Sequence, residues 1–227
     1  MYFDYYYLIL VVPMLILSLI AQGMVQSSYK KYSRLMGTRH ITGAQAAEIL
    51  LRSRGVYDVR VERVGGNLTD HYDPKANVIR LSDGVYSSSS VAAVGIACHE
   101  AGHALQYAQS YAPIKFRMAL VPVCNIASQL SVPLIILGIV LNFFQLAYIG
   151  IAAFAISTLF QLVTLPVEFN ASRRAMNIIK EQNILYGDEA KGARKVLTAA
   201  AMTYVAALAV SLANLLRFVF IIGNRRD

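Results

Sequence analysis

The stretch Cys98-His99-Glu100-Ala101-Gly102-His103-Ala104 lies in a run whose residues predict a helix from about Ser90 to Gln109. Residues four apart share one face of a helix, so His99 and His103 can direct two imidazoles at one divalent metal. Glu100, one step round, can face water at a further coordination position. Two histidine nitrogens, one more protein ligand and a position open to water are the ligand set of a zinc hydrolase. The plainer reading is a surface helix with two chance histidines. However, the chain has only four histidines and two fall here, flanked by apolar Val91–Ala97 and Ala104-Leu105. That context buries the motif, and a buried His-Glu-His cluster needs a partner such as a metal. The expected cofactor is Zn2+.

The composition around the motif is that of a membrane protein. Hydrophobic residues make up 56% of the chain and charged residues 15%, which suggests bilayer spans with a modest polar part. A net charge of +8 invites a nucleic-acid partner, but Lys and Arg cluster beside apolar runs, as the positive-inside rule expects. No nucleic-acid partner is expected; the lipid bilayer is. Cys98 and Cys124 both lie in apolar stretches and read as buried free thiols.

Four apolar runs are long enough to span: Tyr5–Gln22, Met118–Phe144 with Pro122 and Pro133 expected to kink it, Leu146–Leu165, and Val196–Ile222 with Arg217 able to snorkel outward. Asp4, rather than Lys or Arg, precedes the first run, which argues against a cleaved signal peptide. Eighteen of the 21 Lys and Arg residues fall in residues 23–117 and 167–195. The charge bias therefore puts both segments in the cytoplasm and both termini outside, with Arg225 and Arg226 opposing mildly. The chain divides into a first transmembrane helix (1–22), a cytoplasmic region with the motif helix (23–117), transmembrane helices two and three (118–166), a second cytoplasmic segment (167–195), and a fourth transmembrane helix with the tail (196–227).

Within 23–117, Thr42 reads as the N-cap of a helix through Arg52 that ends at Gly55. Val59–Val64 alternates as a strand and Gly65-Gly66-Asn67 turns it. Val78–Ser82 reads as a second strand, expected at the sheet edge, where an extended peptide could pair with it. Among downstream carboxylates, Glu168 stands at the end of the third span and is costly to leave unpaired there, which makes it the expected third ligand. A salt bridge to Arg173 or Arg174 is its alternative role. Glu181 beside Lys180 suits a solvated face, Asp188 and Glu189 suit a helix N-terminus, and Asp227 closes the chain. Glu100 is the expected general base, with the metal polarising the scissile carbonyl. His71, Tyr72, Arg80 and Asn170 are candidates for oxyanion stabilisation. His71 and Tyr72 lead because Asp70-His71-Tyr72-Asp73 gathers four polar side chains, though a hydrogen-bonded turn explains them equally well. Tyr86 and Tyr107 read as packing residues.

The segment Glu168-Phe169-Asn170-Ala171-Ser172 resembles the E-[YF]-x-A-D ligand segment of membrane gluzincins of the HtpX and CAAX-protease type, with Ser172 in place of the aspartate. Nearly the whole chain resembles the bacterial YugP-like membrane zinc metallopeptidases. The resemblance runs through Leu68–Pro74, Ile79–Ser82, Ser90–Ala93, His99–Gln106 and Leu165–Phe169. It implies a membrane-bound zinc peptidase acting on peptide or membrane-protein substrates. The expected fold is mainly α: about four transmembrane helices with a small α+β zincin-like domain on the cytoplasmic side, in a multi-pass protein of the cell membrane. A site-2-type intramembrane protease is one alternative, weakened by polar Gln106 and Gln109 and by the lack of an L-D-G segment. A catalytically silent zinc-binding scaffold is another, weakened by the intact Glu100.

Overall fold

A computed structural model describes residues 4–224, so Arg225, Arg226 and Asp227 lie outside the described residues. The chain forms two compact units. One comprises Gln22–Ile114 and Val167–Ala201 and contains the histidine motif.

Local signals start and stop the helices of this unit. Helix α1 (Val12–Tyr32) follows a π-helical turn, Tyr7–Val11. Helix α2 (Gly43–Arg52) begins at a capping box in which Thr42 Oγ1 accepts from Gln45 N–H and Gln45 Oε1 accepts from Thr42 N–H. It ends where Gly55 takes a left-handed φ of 73°. Ala46, Ala47, Leu50 and Leu51 are its buried face, packed on helix α4 (Val91–Ala108). Ser90 caps α4 by accepting from Ala93 N–H at 3.2 Å.

Helix α4 is buried on most sides, and its small residues make that possible. Ala92, Ala93, Ala97, Ala101 and Ala104 are at most 1% exposed. Gly95 faces Ala193, and Gly102 lies against the backbone of Ala171. The latter two partners belong to helices α6 (Phe144–Glu181) and α7 (Gly187–Gly223). The polar segment 167–195 is thus the continuation of α6, a short turn and the start of α7.

The sheet corrects one expectation. Strands β1 (Arg60–Val64), β2 (His71–Asp73) and β3 (Val78–Ser82) are ordered β1-β3-β2. Strand β3 is central, parallel to β1 and antiparallel to β2, so Val78–Ser82 is not the free edge. The central place suits it: Val78, Ile79 and Leu81 are fully buried, as in a strand covered on both faces. β1 is one edge and β2, unnoticed as a strand in the sequence, is the other. Its polar residues do not alternate with apolar ones; pairing to β3 makes it a strand. Asp73 Oδ1 accepts from Lys75 and Ala76 N–H and so fixes the turn between β2 and β3. A short helix, α3 (Asp83–Tyr86), follows β3.

The other unit, residues 4–21, 115–166 and 202–224 among those described, holds the apolar lengths of the long helices. Helix α5 (Ala112–Val140) contains Pro122 and Pro133, each lacking the N–H that a helix interior uses. The four candidate spans, Tyr7–Tyr32, Ala112–Val140, Phe144–Glu181 and Gly187–Gly223, contain 26, 29, 38 and 37 residues. Each exceeds the ~20 needed to cross a hydrocarbon core. α4 is not among them. Ile16, Leu19, Ile126 and Ile136 are more than half exposed, as lipid-facing side chains are. Two hydroxyls inside this unit pair with each other: Thr158 Oγ1 and Ser211 Oγ lie 2.8 Å apart. Arg217, rather than only snorkelling, donates from Nε to Asp4 Oδ2 at 2.6 Å.

Candidate metal centre

Helix α4 supplies two nitrogens. His99 and His103 face the same way, their ring centroids 4.7 Å apart and their planes at 82°. Helix α6 supplies the oxygen. Glu168 Oε2 lies 3.3 Å from His99 Nε2 and 3.5 Å from His103 Nε2, with the carboxylate 4% exposed. Charge-assisted N–H···O contacts run at about 2.7–2.9 Å, so these are long for hydrogen bonds. Bond lengths of about 2.0–2.2 Å in a tetrahedral zinc site place neighbouring donors about 3.3–3.5 Å apart. The two nitrogen–oxygen separations fit that spacing, and with all three ligand atoms within 4.8 Å of one another the residues form a group that could hold a metal ion.

The remaining ring nitrogens are held from behind. Gln106, fully buried, donates from Nε2 to the Val167 carbonyl at 2.8 Å and to Asn170 Oδ1 at 3.1 Å. A carbonyl only accepts, so the amide orientation of Gln106 is fixed and its Oε1 must accept. That oxygen lies 3.0 Å from His103 Nδ1. His103 therefore carries its proton on Nδ1 and turns the Nε2 lone pair toward Glu168. Asn170 is fixed in turn, because Arg174 Nε donates to its Oδ1 at 2.7 Å. On the other ring, Ser172 Oγ lies 3.1 Å from His99 Nδ1. The residue in place of the family's aspartate thus still reaches a histidine. Partners of this kind orient metal-binding imidazoles. Sequence reading missed Gln106; the available signal was a glutamine one turn beyond His103 on an otherwise apolar helix.

Electrostatics also favour a cation. Burial opposes charge on His103, yet the nearby Glu168 and Glu100 carboxylates, with Gln106, together move its pKa upward. Burial lifts Glu100 above the usual carboxylate range; the two histidines oppose that rise, and Glu168 and Asp70 add to it. A raised carboxyl is a stronger base. Cys98, next in sequence, is fully buried, and burial pushes its thiol up, away from the thiolate a metal would need.

The residues 70–73 border the motif through the backbone. Tyr72 N–H donates to Glu100 Oε2 at 3.1 Å. The Tyr72 hydroxyl donates to Asn77 Oδ1 at 2.8 Å and its ring packs on Tyr107. Burial first, then the neighbouring Tyr107, Asp58 and Asp73, push that hydroxyl up to about 12. His71 is exposed, with Nδ1 2.8 Å from the Thr69 carbonyl. Asp70 accepts from Ser82 N–H and Oγ–H, and Arg80 pairs with Asp73 at 2.8 Å. The sheet and motif helix thus bring together Tyr72 and Glu100, while Arg80 is engaged elsewhere. Tyr86 lies under the Arg63 guanidinium.

Comparison with known proteins agrees with the geometry. Residues 7–223 match the family described as "Putative neutral zinc metallopeptidase". The chain is 47% identical over 221 residues to "Putative membrane protease YugP" of Bacillus subtilis (strain 168), covering 97% of this chain and 98% of that protein. No solved structure matches the chain. With His99, His103 and Glu168 grouped so that they could hold a metal on a chain with four apolar helices, and a match over nearly its whole length, the protein belongs to this neutral zinc metallopeptidase family.

Proposed function

We propose that the chain is a membrane-bound zinc endopeptidase in which His99, His103 and Glu168 hold the metal and Glu100 is the general base. The observation that carries the reading is that Glu168 Oε2 of α6 lies 3.3 and 3.5 Å from the two histidine nitrogens of α4. Zinc held there supplies Lewis acidity toward the scissile carbonyl and the attacking water. Glu100 takes a proton from that water and passes it to the leaving amine. The Tyr72 amide holds Oε2 of Glu100, so Tyr72 acts as a positioning residue. His71 is the side chain left to meet a developing oxyanion. β2 is hydrogen-bonded to the sheet on one side, and its other side is where an extended substrate would pair.

The metal reading is tested by zinc content, measured by mass spectrometry on purified protein, together with casein hydrolysis. His99→Ala, His103→Ala and Glu168→Gln are expected to lose both zinc and activity. Gln106→Leu should weaken zinc binding about 10–100-fold, and Glu181→Gln should match wild type. Full zinc and activity in Glu168→Gln would remove Glu168 from the site.

Residues 23–117 and 167–195 are proposed to face the cytoplasm on the strength of their Lys and Arg content. Glu168 follows the third apolar run directly, so the substrates are proposed to be membrane proteins or their juxtamembrane segments. A reporter that works only outside the cell should be silent at Gly66 and active at the C-terminus. The reverse pattern would invert the arrangement.

A further inference from the structure

A groove of about 310 Å³ runs between α6 and α7, well apart in character from the histidine cluster. Its walls come from Phe169, Arg173 and Met176 of α6 and Arg194, Leu197 and Ala201 of α7, with Ser172, Asn177 and Thr198 adding polar groups. Arg173 and Arg194 are both exposed, and neither has a carboxylate within ion-pair distance among the described residues. Other arginines are engaged: Arg54 with Glu181, Arg80 with Asp73, Arg217 with Asp4. Two unneutralised guanidinium groups at one small groove repel each other and favour an anion. The fork of an arginine matches phosphate oxygens two at a time.

The groove is also graded along its length. On α6, Phe169 lies one turn before Arg173, toward the apolar run of that helix. On α7, Leu197 and Ala201 lie one and two turns beyond Arg194, again toward the apolar run. Met176, Leu197 and Ala201 are buried in the floor, while Phe169 is 42% exposed. Cationic at one end and apolar at the other, the groove has the polarity of a phospholipid. A soluble phosphate would use only the first end.

We infer that this groove binds an anionic phospholipid, its phosphate between Arg173 and Arg194 and the start of an acyl chain along Phe169, Leu197 and Ala201. Ser172 forms part of the wall and also reaches His99, so the headgroup would sit one side chain from the cluster. The inference rests on the groove and on the apolar helices, and does not need the metal reading to hold.

The test is native mass spectrometry of the full chain in neutral detergent, titrated with dioleoylphosphatidylglycerol or dioleoylphosphatidylcholine, with zinc content followed separately. Two basic side chains near a bilayer surface contribute about fivefold each. Wild type is therefore expected to favour phosphatidylglycerol about 10–30-fold. Arg173→Gln with Arg194→Gln should abolish the preference. Lys180→Gln with Lys195→Gln, which removes the same charge outside the groove, should keep it. Thr198→Trp fills the groove with both arginines intact and should also abolish it, which guards against a folding defect in the arginine variant. Equal binding of the two lipids by wild type overturns the inference. So does a preference that survives both groove variants. Full displacement of phosphatidylglycerol by millimolar inorganic phosphate would show a soluble-anion site and overturn it as well.

Discussion

Glu100→Gln should retain about one zinc per chain and hydrolyse casein about 10²–10⁴-fold more slowly than wild type. The substitution preserves shape and volume, and the amide oxygen can still accept from Tyr72 N–H, so the contact between β2 and α4 survives. What is lost is a proton acceptor that burial has made more basic. The three donors proposed for the metal are on other residues, so metal content and turnover should separate in this variant and fall together in His99→Ala. Zinc and casein hydrolysis must be measured on one preparation. Full zinc with near-wild-type turnover would mean that another residue is the base; lost zinc would make Glu100 a ligand.

Gly102→Ala should destabilise the protein by about 1–3 kcal/mol and lower its zinc content. A Cβ at Gly102 would lie 2.6 Å from the Ala171 carbonyl oxygen and 3.2 Å from its carbon. Both are backbone atoms, so no side chain can swing aside; α4 and α6 must part. Glu168 is three residues from Ala171 on α6, and the ligand separations are set by that helix approach. Gly95→Ala is the control. Its Cβ would lie 3.3 Å from the Ala193 Cβ, with the Ala193 backbone no closer than 3.6 Å, so the neighbour need give only slightly and zinc should be kept. Thermal unfolding in detergent and metal analysis of both variants decide the matter. A Gly102→Ala protein with wild-type melting temperature and full zinc would show that the close approach is not required.

Features written into short stretches of sequence were legible. The motif helix and the Thr42 cap depend on neighbours within four residues, and they lie where the sequence placed them. The four apolar helices follow from length and composition. Features that depend on distant partners were not legible. β2 becomes a strand only by pairing with β3, and β3 becomes central only because β2 lies on its far side. Gln106 looked like a polar residue closing an apolar run; its partners Val167 and Asn170 are 61 and 64 residues away. Glu168 was reached by the cost of stranding a carboxylate at a helix end, an argument from solvation rather than from pattern.

The cluster draws on segments made at different times. Ser172 lies 73 residues beyond the histidine it supports. At a synthesis rate of about 5–20 residues per second, that interval is roughly 4–15 s. For most of that time the growing chain has its histidine helix and Gln106 but lacks Glu168, Asn170 and Ser172. A nascent polypeptide, still beside the insertion machinery and other unfinished membrane proteins, therefore cannot assemble its own cutting site. On the proposed ligand set, activity waits until the third apolar helix has been made, which spares the cell a protease that works before it is complete.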